Sequence, residues 1–469
     1  MDLHTNLDEW VSGMIRARVY NRIPSDYSSR GTDFGSNSGI YLDIINEIKS
    51  RESEIQEIHL ALYLFNNVHL YNELLRLAKK GVRVTVISLP LTGYDRRKIK
   101  AAKLIYGKAI NEKAIDLRIF PHMYMWYGAE YAGGGASYSF HIKAGIIEYK
   151  DETSNLFLTS ANLAPGDPTH SETAVFMETL QNSSIVRIFR TFFQEVENRA
   201  RRFEDYNKYV NSISSELQQV FDFSFVGSVN RTRFSLQQAS QAYFTAPFIT
   251  IGEKGSNHYA RERLVKVILA AKKRLLVCAQ HSHDISPFNG YLGETMISSI
   301  TEAKTSNPDI DVKVLKQVSS SGLADKRRAA FVEGHLHHAS VPQRVNKFVH
   351  DKFLVADNAV VITTGNFTAT QFGWGERRMA FKTGISDLAE VKSVVDSAAS
   401  FFGTPKGSVF AQMTRPRKEL PKVKVLRDDI FSEVNAFMVV EDLKIADQLA
   451  EYFSKLWSHP LSVDVEIPR

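Results

Sequence analysis

Apolar residues recur with two distinct periods in the first part of the chain. Tyr41, Ile44, Ile45 and Ile48 fall at i, i+3, i+4 and i+7, which is one face of a helix. The run Ile58-His59-Leu60-Ala61-Leu62-Tyr63-Leu64-Phe65 is of β type. Leu70 to Lys80 reads as a helix, closed by Gly81 as its C-cap. Val82-Arg83-Val84-Thr85-Val86-Ile87 reads as a buried strand that ends before Pro90. A strand-helix-strand order of this kind predicts parallel strands joined by a right-handed crossover.

The pattern then returns. Leu264, Val267, Ile268 and Ala271 repeat the helical spacing. Leu275 to Ala279 is a strand, Thr295 to Ala303 a helix, and Ile310 to Leu315 the next strand. Each copy runs through a longer irregular stretch into a His-x-Lys tripeptide. The polar segment between the copies reads as a connecting helix plus a β-ribbon. The predicted organisation is therefore an N-terminal domain over 1–202, a connecting segment over 203–235 and a C-terminal domain over 236–469. A further echo lies near the end of the chain. Ser171-Glu172 with Phe176-Met177 recurs as Ser432-Glu433 with Phe437-Met438, each followed by a helical stretch with aromatic residues. This predicts a terminal strand-helix pair that completes the second domain.

A chain of 469 residues exceeds what one core usually serves, which agrees with two units. The single cysteine, Cys278, excludes an internal disulfide and a CxxC site, and its apolar neighbours make it a buried small hydrophobe. Net charge is +6, a mild basic excess that suits a phosphate-bearing partner. Met1 to Asn6 show no signal-peptide pattern and no apolar run reaches spanning length, so a cytoplasmic protein without a transmembrane segment is expected.

The chemistry sits in two matching constellations. The first reads His141-Ile142-Lys143, then Glu148, then an apolar strand into Thr159-Ser160-Ala161-Asn162, with Glu172 ten residues on. The second reads His350-Asp351-Lys352, then Asp357, then a strand into Thr363-Thr364-Gly365-Asn366, with Glu376 ten residues on. His and Lys at i and i+2 of a strand share one face. Two such pairs around one cavity supply two imidazoles and two ammonium groups, which fits an anionic phosphodiester. One imidazole attacks phosphorus and the other protonates the leaving oxygen. The lysines and asparagines stabilise charge on the non-bridging oxygens. A carboxylate on the far nitrogen of each imidazole fixes its tautomer. No metal and no other cofactor is expected, because the cations are built in.

These residues resemble the signature of the phospholipase D superfamily, H-x-K-x4-D followed by a G-S-x-N-like turn. His350, Lys352 and Asp357 match its first part. Glu148 replaces the acid in the first copy, and Thr159 and Thr363 replace the turn glycine, while Ser160 and Thr364 keep its hydroxyl. The first copy is longer, as if Asp151 to Asn155 were an inserted hairpin tip. The resemblance implies an α/β fold: two homologous α/β/α domains with mixed sheets packed around one shared active site. It also implies a phosphohistidine intermediate, with His141 the nucleophile and His350 the general acid and later base. The symmetry of the residues leaves that order open. Glu172 and Glu376 match the imidazole-orienting acid, and Glu433 is a rival for the second place.

Three further clusters bear on the substrate. His335, His337 and His338 lack a nearby acid or cysteine and read as a solvated loop. Tyr124, Trp126, Tyr127, Tyr131 and Tyr138 precede His141, as core packing, a stacking platform for bases or an entrance for a lipid. Arg96-Arg97-Lys98 and Lys326-Arg327-Arg328 are solvated faces or a phosphate-backbone track. The expected partner is a phosphodiester substrate, with nucleic acid favoured over phospholipid. The alternatives are a phospholipase or phosphatidyltransferase, removal of adducts in the manner of a tyrosyl-DNA phosphodiesterase, and a binding module with a decayed site.

Overall fold

Two eight-stranded mixed sheets dominate the computed structural model. It describes residues 14–23, 39–89, 104–109, 111–120, 140–163, 169–205, 232–246, 248–285, 295–318, 323–372 and 433–465. The first sheet is built from β1 (Met14–Arg22), β2 (Ile55–Leu62), β3 (Arg83–Ser88), β4 (Asp116–Ile119), β5 (Lys143–Tyr149), β6 (Thr153–Thr159), β7 (Glu172–Leu180) and β8 (Arg201–Arg202). The second is built from β9 (Ala242–Thr245), β10 (Arg274–Ala279), β11 (Asp311–Lys316), β12 (Gln343–Val345), β13 (Lys352–Ala356), β14 (Ala359–Thr363), β15 (Asn435–Glu441) and β16 (Val463–Asp464).

The spatial orders are β1-β7-β6-β5-β2-β3-β4-β8 and β9-β15-β14-β13-β10-β11-β12-β16. They match position by position. The pairings β2·β3 and β3·β4 are parallel, as are β10·β11 and β11·β12, and the other pairs in both sheets are antiparallel. The helices lie at α1 (Ile40–Ser50), α2 (Val68–Lys79), α3 (Ser184–Arg199), α4 (Ser256–Ala270), α5 (Met296–Ser306), α6 (Leu323–His338) and α8 (Leu443–Trp457), with a short turn of helix, α7 (Ala369–Phe372), between the last two. Side-chain alternation sorts the first sheet into two faces. Ile58, Leu60, Leu62, Phe157 and Phe176 pack outward with α1 and α2. Ala61, Leu156, Leu158, Val175 and Met177 face a core that continues into the second half.

The closing helices bind the halves together. Ser183 caps α3 by accepting from Val186 N, and the apolar stripe of α3 carries Phe189, Phe192 and Phe193. Phe192 stacks on Phe244 of β9 with centroids 3.8 Å apart. Asp442 caps α8, whose Gln448 Nε2 donates to Val19 O (2.9 Å) and whose Tyr452 hydroxyl oxygen lies 3.1 Å from Arg22 O, both on β1. Each half's last helix thus rests on the other half's first strand. The terminal strand-helix pair expected from the sequence is β15 with α8.

Three local features differ from expectation. The extra length of the first hairpin lies in its strands, seven residues in β5 and β6 against five in β13 and β14, with the turn at Lys150–Glu152. His335, His337 and His338 lie on a helix rather than a loop, because Ala324, Lys326, Arg327, Arg328, Ala329 and Ala330 before them are strong helix formers. Val332 and Leu336 bury the inner face of that helix, and the three histidines are exposed. The end of the connecting segment, Thr232–Phe234, pairs in parallel with Ile249–Ile251 in a small separate sheet. Residues 206–231 of that segment lie outside the described residues.

A buried carboxylate anchors α5. Asp284 accepts from Met296 N and Ile297 N at the start of the helix. Burial pushes its pKa up to about 6 despite those bonds. The folded state therefore holds a proton that the unfolded state has released between about pH 4 and 6, and stability falls as pH rises through that window. Asp284→Asn should flatten this decline, which amounts to about 3 kcal/mol at most. Denaturant titrations across the window check this, and an unchanged slope would show that another group sets it.

Candidate active site

β5 and β13 occupy the same position in their sheets, and each is preceded by a histidine. Lys143 and Lys352 are fully buried. Each ammonium group donates back to the carbonyl of its own motif's histidine, Lys143 Nζ to His141 O at 2.8 Å and Lys352 Nζ to His350 O at 2.6 Å. Lys143 Nζ also reaches Thr364 O, in the turn of the other half, at 3.3 Å. The halves join again beside His350. Ser171 N donates to Phe348 O (2.9 Å), and His350 N donates to Ser171 O (3.2 Å).

The hydroxyl turns then fix one side chain each. Ser160 Oγ bonds the Glu172 carboxylate and accepts from Thr173 N at 2.9 Å. Thr364 Oγ1 bonds Asn435 Oδ1 at 3.0 Å and accepts from Ala436 N at 3.0 Å. Glu172 and Asn435, the first residues of β7 and β15, are thus structural counterparts. Each serves the histidine of the opposite half. His350 Nδ1 donates to Glu172 Oε1 at 2.7 Å. Asn435 interacts with the His141 ring in a way that raises its pKa, although His141 Nδ1 makes no hydrogen bond of good geometry. Asn435 Nδ2 donates to Gln371 Oε1 and, at 3.2 Å, to Glu433 Oε2. Gly365 leaves room for this cluster, since a Cβ there would stand 2.3 Å from Gln371 Oε1 and 2.7 Å from Asn435 Cγ.

Burial and positive charge act on both imidazoles. His141 is held well below the ordinary histidine range by burial first, then by Lys143 and Lys352. His350 is held low by burial, then by Lys352, His170, Lys143 and His141. Each ring feels the lysine of both halves, so the two motifs share one electrostatic environment. Both rings are therefore neutral at pH 7, and a bound anion would offset the positive charge around them.

The remaining expected residues fall in three places. Asn162 and Asn366 end the two hydroxyl turns, half-buried, each with a buried Oδ1 that has no hydrogen-bond partner among the described residues. Glu148 and Asp357 lie away from the histidines. Five residues of strand beyond each lysine span about 16 Å. Glu148 bonds Arg190 Nε at 2.5 Å. Asp357, at φ 54°, accepts from Lys272 N, Lys273 N and Arg274 N and so ties the second hairpin turn to the start of β10. Glu433 Oε2 accepts from Asn435 Nδ2 at 3.2 Å. Glu376, the aromatic segment around Trp126 and the Arg96-Arg97-Lys98 cluster lie outside the described residues.

Several site residues were not singled out from the sequence. Tyr63 sets its ring edge against His141 at 5.0 Å, and the Lys143 ammonium sits 5.2 Å from its centroid. Tyr63 and His281 follow the C-terminal ends of the parallel strands β2 and β10, where α/β sheets place their ligands, and that position was the available signal. His170 lies 5.4 Å from the His350 ring. Asp351, fully buried between His350 and Lys352, accepts from Ser171 Oγ, Thr173 Oγ1 (2.6 Å) and Tyr452 OH (3.1 Å). Its counterpart in the first half is Ile142, and the counterparts of Ser171 and Thr173 are Val434 and Ala436, all apolar.

No family model matches the chain, and no curated protein matches it. Solved structures that it is similar to include yeast tyrosyl-DNA phosphodiesterase, at 11% identity and TM-score 0.41, covering 91% of this chain and 90% of that one. Phosphatidylserine synthase of Haemophilus influenzae Rd KW20 is similar at 9% identity and TM-score 0.44, over 90% and 85%. Polyphosphate kinase of Porphyromonas gingivalis is similar at 10% identity and TM-score 0.42, over 94% of this chain and 50% of the kinase chain. All three are phospholipase D superfamily proteins. This chain therefore spans about half the length of the kinase that it matches.

Proposed function

We propose that this chain is a phosphodiesterase of the phospholipase D type that works through a phosphohistidine, with nucleic acid as its substrate class. The observation that carries the reading is the pair of His-Lys motifs, in which each imidazole lies in the field of both buried lysines. A phosphodiester anion between them has Lys143, Lys352, Asn162 and Asn366 for its non-bridging oxygens. One imidazole attacks phosphorus and the other protonates the leaving oxygen. Glu172 holds the His350 ring, and Asn435 lies beside the His141 ring. The net charge of +6 and the exposed Lys326 and Arg327 on α6 favour a polyanion over a lipid.

Turnover should survive excess chelator, because the lysines neutralise the charge that a metal neutralises elsewhere. Loss of activity on chelation, restored by a divalent ion, would remove the mechanism. The substrate is decided by competition between a short single-stranded oligonucleotide and a fluorescent phospholipid in vesicles, at low and high salt. A nucleic-acid enzyme nicks the oligonucleotide and loses affinity steeply with salt as counterions are released. Lipid cleavage undisturbed by the oligonucleotide, without nicking, would replace nucleic acid by phospholipid.

A further inference from the structure

Resting on the phosphodiesterase reading, we propose that His350 is the nucleophile and His141 the general acid, the reverse of the order implied by chain position. The two halves place their His-x-Lys strands at the same position in matching sheets, so topology alone does not separate the histidines. The chemistry behind them does. Attack on phosphorus needs a lone pair on Nε2, and therefore a proton on Nδ1. A carboxylate only accepts, so Glu172 Oε1 at 2.7 Å from His350 Nδ1 selects that tautomer. When Nε2 bonds phosphorus the ring gains positive charge, and the Glu172 carboxylate compensates it directly.

His141 has no such compensation. Its neighbour is the Asn435 amide, whose Oδ1 bonds Thr364 and whose Nδ2 donates to Gln371 and Glu433, and an amide carries no charge to offset a cationic ring. Its Nδ1 is buried without a well-formed bond. A cationic N-phosphoryl adduct at this ring would sit close to two buried ammonium groups, and among the described residues no carboxylate hydrogen-bonds its Nδ1. Proton donation is the task that suits it, because giving up the proton returns the ring to the neutral form that its surroundings favour.

The steps balance as follows. His141 takes up a proton from solvent together with the anionic substrate and enters the step as an imidazolium; His350 Nε2 donates its electron pair to phosphorus, and the bond to the leaving oxygen breaks. That oxygen keeps its electron pair and takes the proton of His141. Water then attacks phosphorus and gives a proton to His141, and the N–P bond returns its pair to His350.

Bis(4-nitrophenyl) phosphate separates the roles, because nitrophenolate leaves without a proton donor. His141→Asn should release a burst of about one equivalent of nitrophenolate per chain and then stall, since the base for hydrolysis is also gone. Alkaline quench and peptide mass spectrometry should find the adduct on His350, in this variant and in the native protein during turnover. His350→Asn should lose the burst, with the first turnover slowed on the order of 1000-fold. Glu172→Gln in the His141→Asn background should slow the burst on the order of 10- to 100-fold and move its acidic limb to lower pH, a shift that a merely structural role would not produce. A burst in His350→Asn with the adduct on His141 would overturn the proposal and leave the phosphodiesterase reading standing. Native turnover without an adduct on either histidine would also overturn it. No nitrophenolate release by the native protein would remove the phosphodiesterase reading itself.

Discussion

Replacing His141 or His350 by Ala should each lower steady-state phosphodiester turnover by about 1000- to 100,000-fold, and the double variant should be no slower than the worse single. In the proposed mechanism the halves supply one imidazole apiece to one site, and each imidazole lies in the field of both Lys143 and Lys352. Neither ring completes a cycle alone: one without a donor cannot expel an alkoxide, and one without a nucleophile cannot form the adduct. Steady-state rates of the two singles and the double, measured with a substrate whose leaving group is an unactivated alcohol, form the test. Costs that add would mean two independent sites and would break the shared-site reading. A single variant that kept a tenth of the native rate would do the same.

Phe192→Ala should lower the stability of the whole chain by about 3–5 kcal/mol, the range for deleting a buried aromatic side chain. Phe192 is fully buried on α3, stacks on Phe244 of β9, and meets Phe193 edge-on at 5.8 Å. Phe189 contacts Phe244 from the same helix at 4.9 Å. The lost ring therefore leaves a cavity at the seam between the halves rather than inside one of them. Both halves should then unfold together at a lower denaturant midpoint, and turnover should fall as their registration loosens. Unfolding of the second half at an unchanged midpoint would show that the seam carries little of the stability.

Much of this arrangement was legible in the sequence because it is local. The i, i+3, i+4, i+7 stripes at Tyr41–Ile48 and Leu264–Ala271 fall on α1 and α4, and the two strand-helix-strand units fall at β2-α2-β3 and β10-α5-β11 with parallel pairing. The His-x-Lys pairs and hydroxyl turns have fixed spacing along one strand or hairpin. What the sequence did not reveal was a correspondence across a long separation. In the second half the sheet counterpart of Glu172 is Asn435, after residues 373–432, whereas the ten-residue spacing names Glu376, which lies outside the described residues. The Ser-Glu and Phe-Met echo set Glu433 opposite Glu172, two residues from the true counterpart. A strand slipped by two residues keeps the same faces buried, so the apolar pattern does not reveal the error. The exchange of Glu172 to His350 of the other half is invisible in principle to a reading of each half by itself. Tyr63 was hidden for a different reason, since at the end of an apolar strand it reads as core.

The contacts between α8 and β1 also set an order of assembly. Gln448 meets Val19 and Tyr452 meets Arg22, partners separated by 429 and 430 residues. Pairings this distant are the slow part of folding, because the chain between them must first be organised. During synthesis the first half emerges with β1 lacking the helix that will cover its end, and with Glu172 lacking the imidazole that will bond it. Domains generally fold in order from the N-terminus, and apolar surface left open in the interval invites association. For this chain the interval lasts until the C-terminal helix leaves the ribosome, so the site's charge network and the first half's last packed surface are completed by the same late event.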